Sequence, residues 1–78
     1  MGRIGDIDDG RQQLGMTAYQ LWIGYFSVGG NCSMADLDDW LSGAAALPDR
    51  EHNLLAQALN DEFTDIGLNH PVPYTGDL

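Results

Sequence analysis

Residues 17–28 read Thr17-Ala18-Tyr19-Gln20-Leu21-Trp22-Ile23-Gly24-Tyr25-Phe26-Ser27-Val28, and the fold turns on whether this stretch is a strand or a helix. The residue types favour a strand, since Trp, Ile, Tyr, Phe and Val fit a pleated, half-buried surface. Their order does not. A half-buried strand alternates apolar and polar residues, whereas residues 21–26 run on without alternation, and no second run elsewhere offers a pairing partner. At about 100° per residue, Leu21, Tyr25, Trp22, Phe26, Tyr19 and Ile23 fill well over half of a helical wheel. Gln20, Ser27, Gly24 and Thr17 take the narrow remainder. The stretch is therefore expected to be a helix over residues 17–28, with Thr17 or Met16 near its cap.

Such an arc is wider than the stripe of a little over 100° that a helix buries on a globular core. Tyr19, Trp22, Tyr25 and Phe26 are accordingly candidate interface residues, because aromatic side chains concentrate at interface centres. For Trp22 and Phe26 the competing reading, that they form the core of a bundle, is the stronger one. Self-association through this helix, giving a homodimer, is the expected use of any uncovered arc, since small domains commonly gain stability by oligomerising.

Downstream, Gly29-Gly30-Asn31 ends the first helix, with glycine supplying a left-handed cap. Ser33 caps the second helix, expected over residues 34–44, and Asp36 stands at the capping-box spacing. Met34, Leu37, Leu41 and Ala44 recur at steps of three and four. Pro48 opens the third helix, expected over 48–66, at a position where its missing N–H is harmless. Asp49 and Glu51 suit the positive end of that helix, and Leu54, Leu55, Ala58, Leu59, Phe63 and Ile66 give it one broad apolar face. Gly67 and Pro71 stop it. The expected fold is all-α, a small three-helix bundle. Residues 1–15 form a flexible acidic N-terminal segment, 16–67 the helical domain and 68–78 a flexible, extended Pro-containing tail.

The 78 residues carry twelve acids, three Arg and no Lys, for a net charge of −9. That balance excludes a phosphate-backbone binder and an anionic membrane surface. A helix-turn-helix reading of the second and third helices fails likewise, because Pro48-Asp49-Arg50-Glu51 would bring two acids to the DNA. No run approaches the ~20 apolar residues of a membrane span. A polar, acidic start that is no signal peptide, together with the single Cys32, points to a reducing cytoplasm.

Sequence signals for catalysis are sparse. Cys32 precedes a helix N-terminus, which can activate a thiol, and His52 lies at the edge of the apolar arc of the third helix. A small enzyme or ligand-binding domain using these two is the lowest of the readings. No cofactor is expected: Gly29-Gly30 lacks the Lys-Ser/Thr of a phosphate loop. No metal is expected either, since Glu51 and His52 are adjacent and diverge by about 100° on a helix, and no His-x-x-x-His spacing occurs.

Asp36, Asp38, Asp39, Asp49 and Glu51 lie at or soon after helix starts, where capping and the dipole account for most of them. Asp61, Glu62 and Asp65 do not. They lie near the C-terminal end of the third helix, where the dipole disfavours anions, and Asp61 and Asp65 are like charges at i, i+4. This cluster is the candidate docking patch for a basic partner, set against ordinary solubilising charge. The leading expectation is a non-enzymatic cytoplasmic regulator or adaptor. It would bind a basic surface on a partner such as a nucleic-acid-binding protein. A structural homodimer or assembly subunit is the alternative.

Overall fold

The computed structural model describes residues 3–75 and contains four helices. These are α1 (Ile4–Gln13), α2 (Ala18–Ser27), α3 (Met34–Ser42) and α4 (Asp49–Asp65). No strand occurs among the described residues. None of the four helices is long and apolar enough to cross a membrane.

Helices α2, α3 and α4 are the three expected from the sequence, displaced by a residue or two at their ends. Their boundaries follow from local chemistry. The Thr17 hydroxyl accepts from Gln20 N–H at 3.1 Å while the Gln20 side chain accepts from Thr17 N–H at 2.9 Å, a complete capping box. Ser33 and Asp36 make the same reciprocal pair at the start of α3, at 3.2 and 2.9 Å. Gly43 closes α3 in the left-handed region, with φ of 82°. Pro48 is the residue just before α4 rather than its first member.

Helix α1 overturns the expectation of a flexible segment over residues 1–15. Ile4, Ile7 and Leu14 stand on one face and pack on the core. The position that completes their spacing is Gly10, and glycine conceals the period. A Cβ at Gly10 would come within 3.0 Å of Val72 Cγ2 and 3.2 Å of Leu59 Cδ1. The helix passes so close to its neighbours there that glycine does the work of an apolar contact residue. Beside it, half-buried Arg11 pairs with Asp8 at 2.8 Å and donates to the Met16 carbonyl at 2.8 Å, which fixes the turn into α2.

The bundle is organised around α4. Ile7 from α1, Leu21 and Tyr25 from α2, and Leu37 and Trp40 from α3 pack with Leu55, Ala56, Leu59 and Phe63 of α4 in one cluster. Leu47 and Val72 close it from the loop and the tail. Between α2 and α4, Gly24 lies against Ala58 and Tyr25 reaches Glu51 in the first turn of α4. The buried face of α4 ends at Phe63, so Ile66, expected in the apolar face, is exposed.

The tail is likewise more ordered than a flexible segment. Asn60 Nδ2 donates to the Val72 carbonyl and Asn60 Oδ1 accepts from Val72 N–H, both at 2.9 Å. Asn53 grips Thr75 through the same two groups at 2.8 Å each. Val72 is buried as a result, whereas Tyr74 is exposed. Residues 76–78 of the expected tail, and residues 1 and 2 of the expected N-terminal segment, lie outside the described residues.

Candidate functional site

Of the four aromatic interface candidates on α2, the structure exposes two, half-buries one and removes one. Tyr19 is 61% exposed and Phe26 58% exposed. Trp22 lies between them, its ring 6.2 Å from that of Tyr19 and 5.6 Å from that of Phe26. It leans on the core and donates from Nε1 to the Cys32 carbonyl at 3.0 Å. Tyr25 is completely buried, which corrects its place among the interface residues. A wheel that is apolar nearly all round cannot say which sector faces inward.

Tyr25 instead centres a buried polar cluster. Its hydroxyl donates to Glu51 Oε1 at 2.8 Å and accepts from Cys32 N–H at 3.1 Å. The same carboxylate receives the Cys32 thiol at 3.7 Å and Arg50 Nη1 at 3.2 Å. The ring packs edge-on against Trp40, with centroids 6.4 Å apart. Burial is the main cause that raises the Tyr25 hydroxyl above the ordinary tyrosine value of 10.0. The Cys32 side chain and the hydrogen bond and charge of Glu51 push the same way, while the Cys32 N–H pushes back. Above the unfolded tyrosine value near pH 10, the unfolded chain loses this proton and the folded one keeps it. Stability should therefore fall as pH rises beyond about 10, by up to about 1.4 kcal/mol per pH unit. Urea denaturation as a function of pH checks this. Tyr25→Phe should lack that component of the slope, and an identical slope in both proteins would refute the assignment.

Cys32 and His52, the pair considered for chemistry, are not brought into one site. Cys32 bonds Glu51, whereas His52 is buried with both ring nitrogens engaged by main chain. Its Nδ1 accepts from Arg3 N–H at 2.9 Å, and its Nε2 lies 2.9 Å from the Pro73 carbonyl. Only the neutral ring protonated at Nε2 satisfies both. His52 is thus a fastener for the start of α1 and for the tail, a role that its place at the edge of an apolar arc did not signal. Among the described residues, no three His, Cys, Asp or Glu side chains are grouped to hold a metal ion.

The acidic candidates meet the aromatic ones elsewhere. An open groove of about 640 Å³ runs between α2 and α4. Tyr19, Gln20, Ile23, Gly24, Ser27 and Val28 line its α2 side. Ala58, Asp61 and Glu62 form the α4 side, and Leu14, Gly15 and Met16 close one end. The α2 wall thus takes in Gln20, Gly24 and Ser27 from the narrow remainder of the wheel, with exposed Tyr19 and Ile23 from the edge of the apolar arc, and it faces Asp61 and Glu62 of the acid cluster. Asp65, Trp22 and Phe26 lie outside its lining. Asp65 and Phe26 are exposed outside the lining, and Ile23, 43% exposed, is an apolar groove residue that was not among the interface candidates of the sequence.

The acids face no basic residue within the groove lining, and the last turn of α4 contains none. Helix α2 has no charge of its own. The groove therefore offers the apolar surfaces of Tyr19, Ile23 and Val28, beside Gln20 and Ser27, on one wall and two carboxylates on the other, at the negative end of a helix dipole. Chemically this suits apolar anchors accompanied by cations. Comparison with protein-family models, with curated proteins and with solved structures finds no match for the chain.

Gly24, on the groove floor, has no steric reason to be glycine. It is interior to α2, and a Cβ would meet only Ala58 Cβ at 3.5 Å, an ordinary contact. Interior glycine costs a helix about 0.8–1 kcal/mol relative to alanine. Gly24→Ala should accordingly raise the unfolding free energy by up to about 1 kcal/mol. A denaturation midpoint that falls would show that the floor has no room.

Proposed function

We propose that the chain is a non-enzymatic interaction module, a small cytoplasmic regulator or adaptor. It binds a basic surface of a partner protein, such as a nucleic-acid-binding protein, through the α2–α4 groove. The observation that carries this reading is the convergence of exposed Tyr19 and Ile23 with Asp61 and Glu62 on one groove. Apolar contact there supplies affinity, and the carboxylates steer and select a cationic partner. The overall charge of −9 extends the same attraction beyond the groove.

A second copy of the chain is a weaker occupant. Exposed Tyr19, Ile23 and Phe26 stand at i, i+4 and i+7, the spacing of a helix-docking stripe. Yet a symmetric dimer across this face sets like carboxylates and two charges of −9 against each other.

The test is charge reversal. Asp61→Lys with Glu62→Lys should weaken capture of a basic partner by about tenfold or more at low salt. Helicity should be retained, because both side chains are exposed. The readout is co-purification with wild-type and reversed protein, each followed by circular dichroism and light scattering. Equal capture by both proteins refutes the acidic wall as the docking determinant. A concentration-dependent dimer that excludes any partner would favour the homodimer instead.

A further inference from the structure

Resting on that reading, we infer that the groove takes an amphipathic helix of the partner protein. Its large apolar side chain sits over the Gly24–Ala58 floor, and its Arg or Lys residues lie against Asp61 and Glu62.

The lining pattern on α2 supports this. The groove residues there are 19, 23 and 27 on one row and 20, 24 and 28 on the next. These are two adjacent i, i+4 ridges of one helix, with a channel between them. Helices pack by laying such a ridge into such a channel. The rows extend over residues 19–28, about 14 Å of helix axis, which matches two to three turns of an incoming helix. An extended peptide recognises a different surface, either an open strand edge or side-chain pockets at two-residue spacing, and no strand occurs among the described residues.

Gly24 supplies an independent reason. The other glycines that sit against neighbours or in turns are accounted for within the chain. A Cβ at Gly30 would collide with the Tyr25 ring, one at Gly10 would press on Val72 and Leu59, and Gly15, Gly29, Gly43 and Gly67 have positive φ. Gly5 is open but lies in the first turn of α1, away from the groove. Among the described residues, Gly24 alone is interior to a helix, free of steric need and on the floor of an open groove. A glycine there notches the 20–24–28 ridge, and Ala58 opposite is nearly as small. The notch is a hole for a knob from outside, and the helix-forming cost of the glycine goes unrecovered inside the molecule.

Charge selects what flanks the knob. Asp61 and Glu62 form the α4 wall, and no basic side chain lines the groove. An acidic or neutral amphipathic helix would leave these carboxylates without a counter-charge, whereas one with Lys or Arg beside its apolar stripe supplies it.

The experiment uses the whole chain and two synthetic peptides built from the same Leu, Lys and Ala residues. One has its leucines at i, i+4 and i+7, and the other has them re-ordered to alternate. Amide chemical shifts of the 15N-labelled protein report where each binds. The helical-register peptide should move the amides of Tyr19, Ile23, Gly24 and Ala58 and bind about tenfold tighter than its re-ordered twin. Gly24→Ala should lower that preference several-fold while leaving the fold intact. Equal binding of both peptides, lost on Asp61→Lys with Glu62→Lys, overturns the helix inference and leaves the acidic docking reading standing. Absence of groove shifts with either peptide, or binding that ignores the charge reversal, overturns both.

Discussion

Gly30→Ala is expected to destabilise the domain by about 3 kcal/mol or more, at the upper end of what overpacking a core costs. The chain is short, and a stability of roughly 4–12 kcal/mol is ordinary for its length, so this single methyl group removes a large part of the total. The cause is steric and local. A Cβ on Gly30 would lie 2.3 Å from Cε1 and Cζ of Tyr25 and 2.5 Å from Cε2. The ring has nowhere to go, because it is fully buried and its hydroxyl is held by Glu51 and by Cys32 N–H. Trp40 packs against it edge-on. Backbone conformation is not the reason, since Gly30 is absent from the positive-φ residues. Urea denaturation of the wild type and of Gly30→Ala measures the loss. Repeating the pair in a Tyr25→Leu background removes the ring and should abolish most of the difference. A Gly30→Ala midpoint within about 0.5 kcal/mol of the wild type contradicts the packing described.

Asn60→Ala should cost about 2–5 kcal/mol by a different route. Its side-chain amide satisfies both the N–H and the carbonyl of Val72, and all of these atoms are buried. Truncation orphans two main-chain groups, each worth about 1–3 kcal/mol when left unpaired. The chain can escape that penalty only by releasing residue 72 to water, which uncovers Leu59 and Phe63 beneath it. Native-state hydrogen exchange distinguishes the two outcomes. The Val72 amide should be protected in the wild type and exchange freely in the variant. A variant of unchanged stability with a protected Val72 amide would remove Asn60 from this role.

The parts of the fold legible in the sequence were those written in local chemistry. Thr17, Ser33 and Pro48 mark helix starts through short-range hydrogen bonds and backbone preferences, so α2, α3 and α4 could be placed, whereas the stop at Gly43 was blurred by the alanines that follow it and the expected helix ran on to 44. Helix α1 was hidden because Gly10 stands where an apolar residue would have completed the spacing of Ile4, Ile7 and Leu14. Only the close passage of Leu59 and Val72 explains that glycine, and such proximity is not visible along the chain. Tyr25 was misplaced for the opposite reason: apolar residues surround it on the wheel, so periodicity had no inward direction to offer. In the site, Asp61 and Glu62 stood out because a helix dipole gave them a reason not to be there. Their meeting with Tyr19 across a groove is a tertiary fact, reached only once α2 and α4 are laid side by side.

The hold of α4 on the tail has an evolutionary consequence. His52, Asn53 and Asn60 all bind atoms that belong to the peptide backbone: a carbonyl at residue 73 and both polar groups at residues 75 and 72. Nearly every amino acid carries those atoms. Pro73 contributes only its carbonyl, so its lack of an N–H is no handicap. The address of this segment is therefore written on the helix that receives it rather than in the segment itself. Relatives of this chain can drift at 73 and 74 and still dock the tail, provided that an apolar residue remains at 72 and the imidazole and two amides remain on α4. Common descent would then be easier to trace through three polar positions of one helix than through the segment they hold.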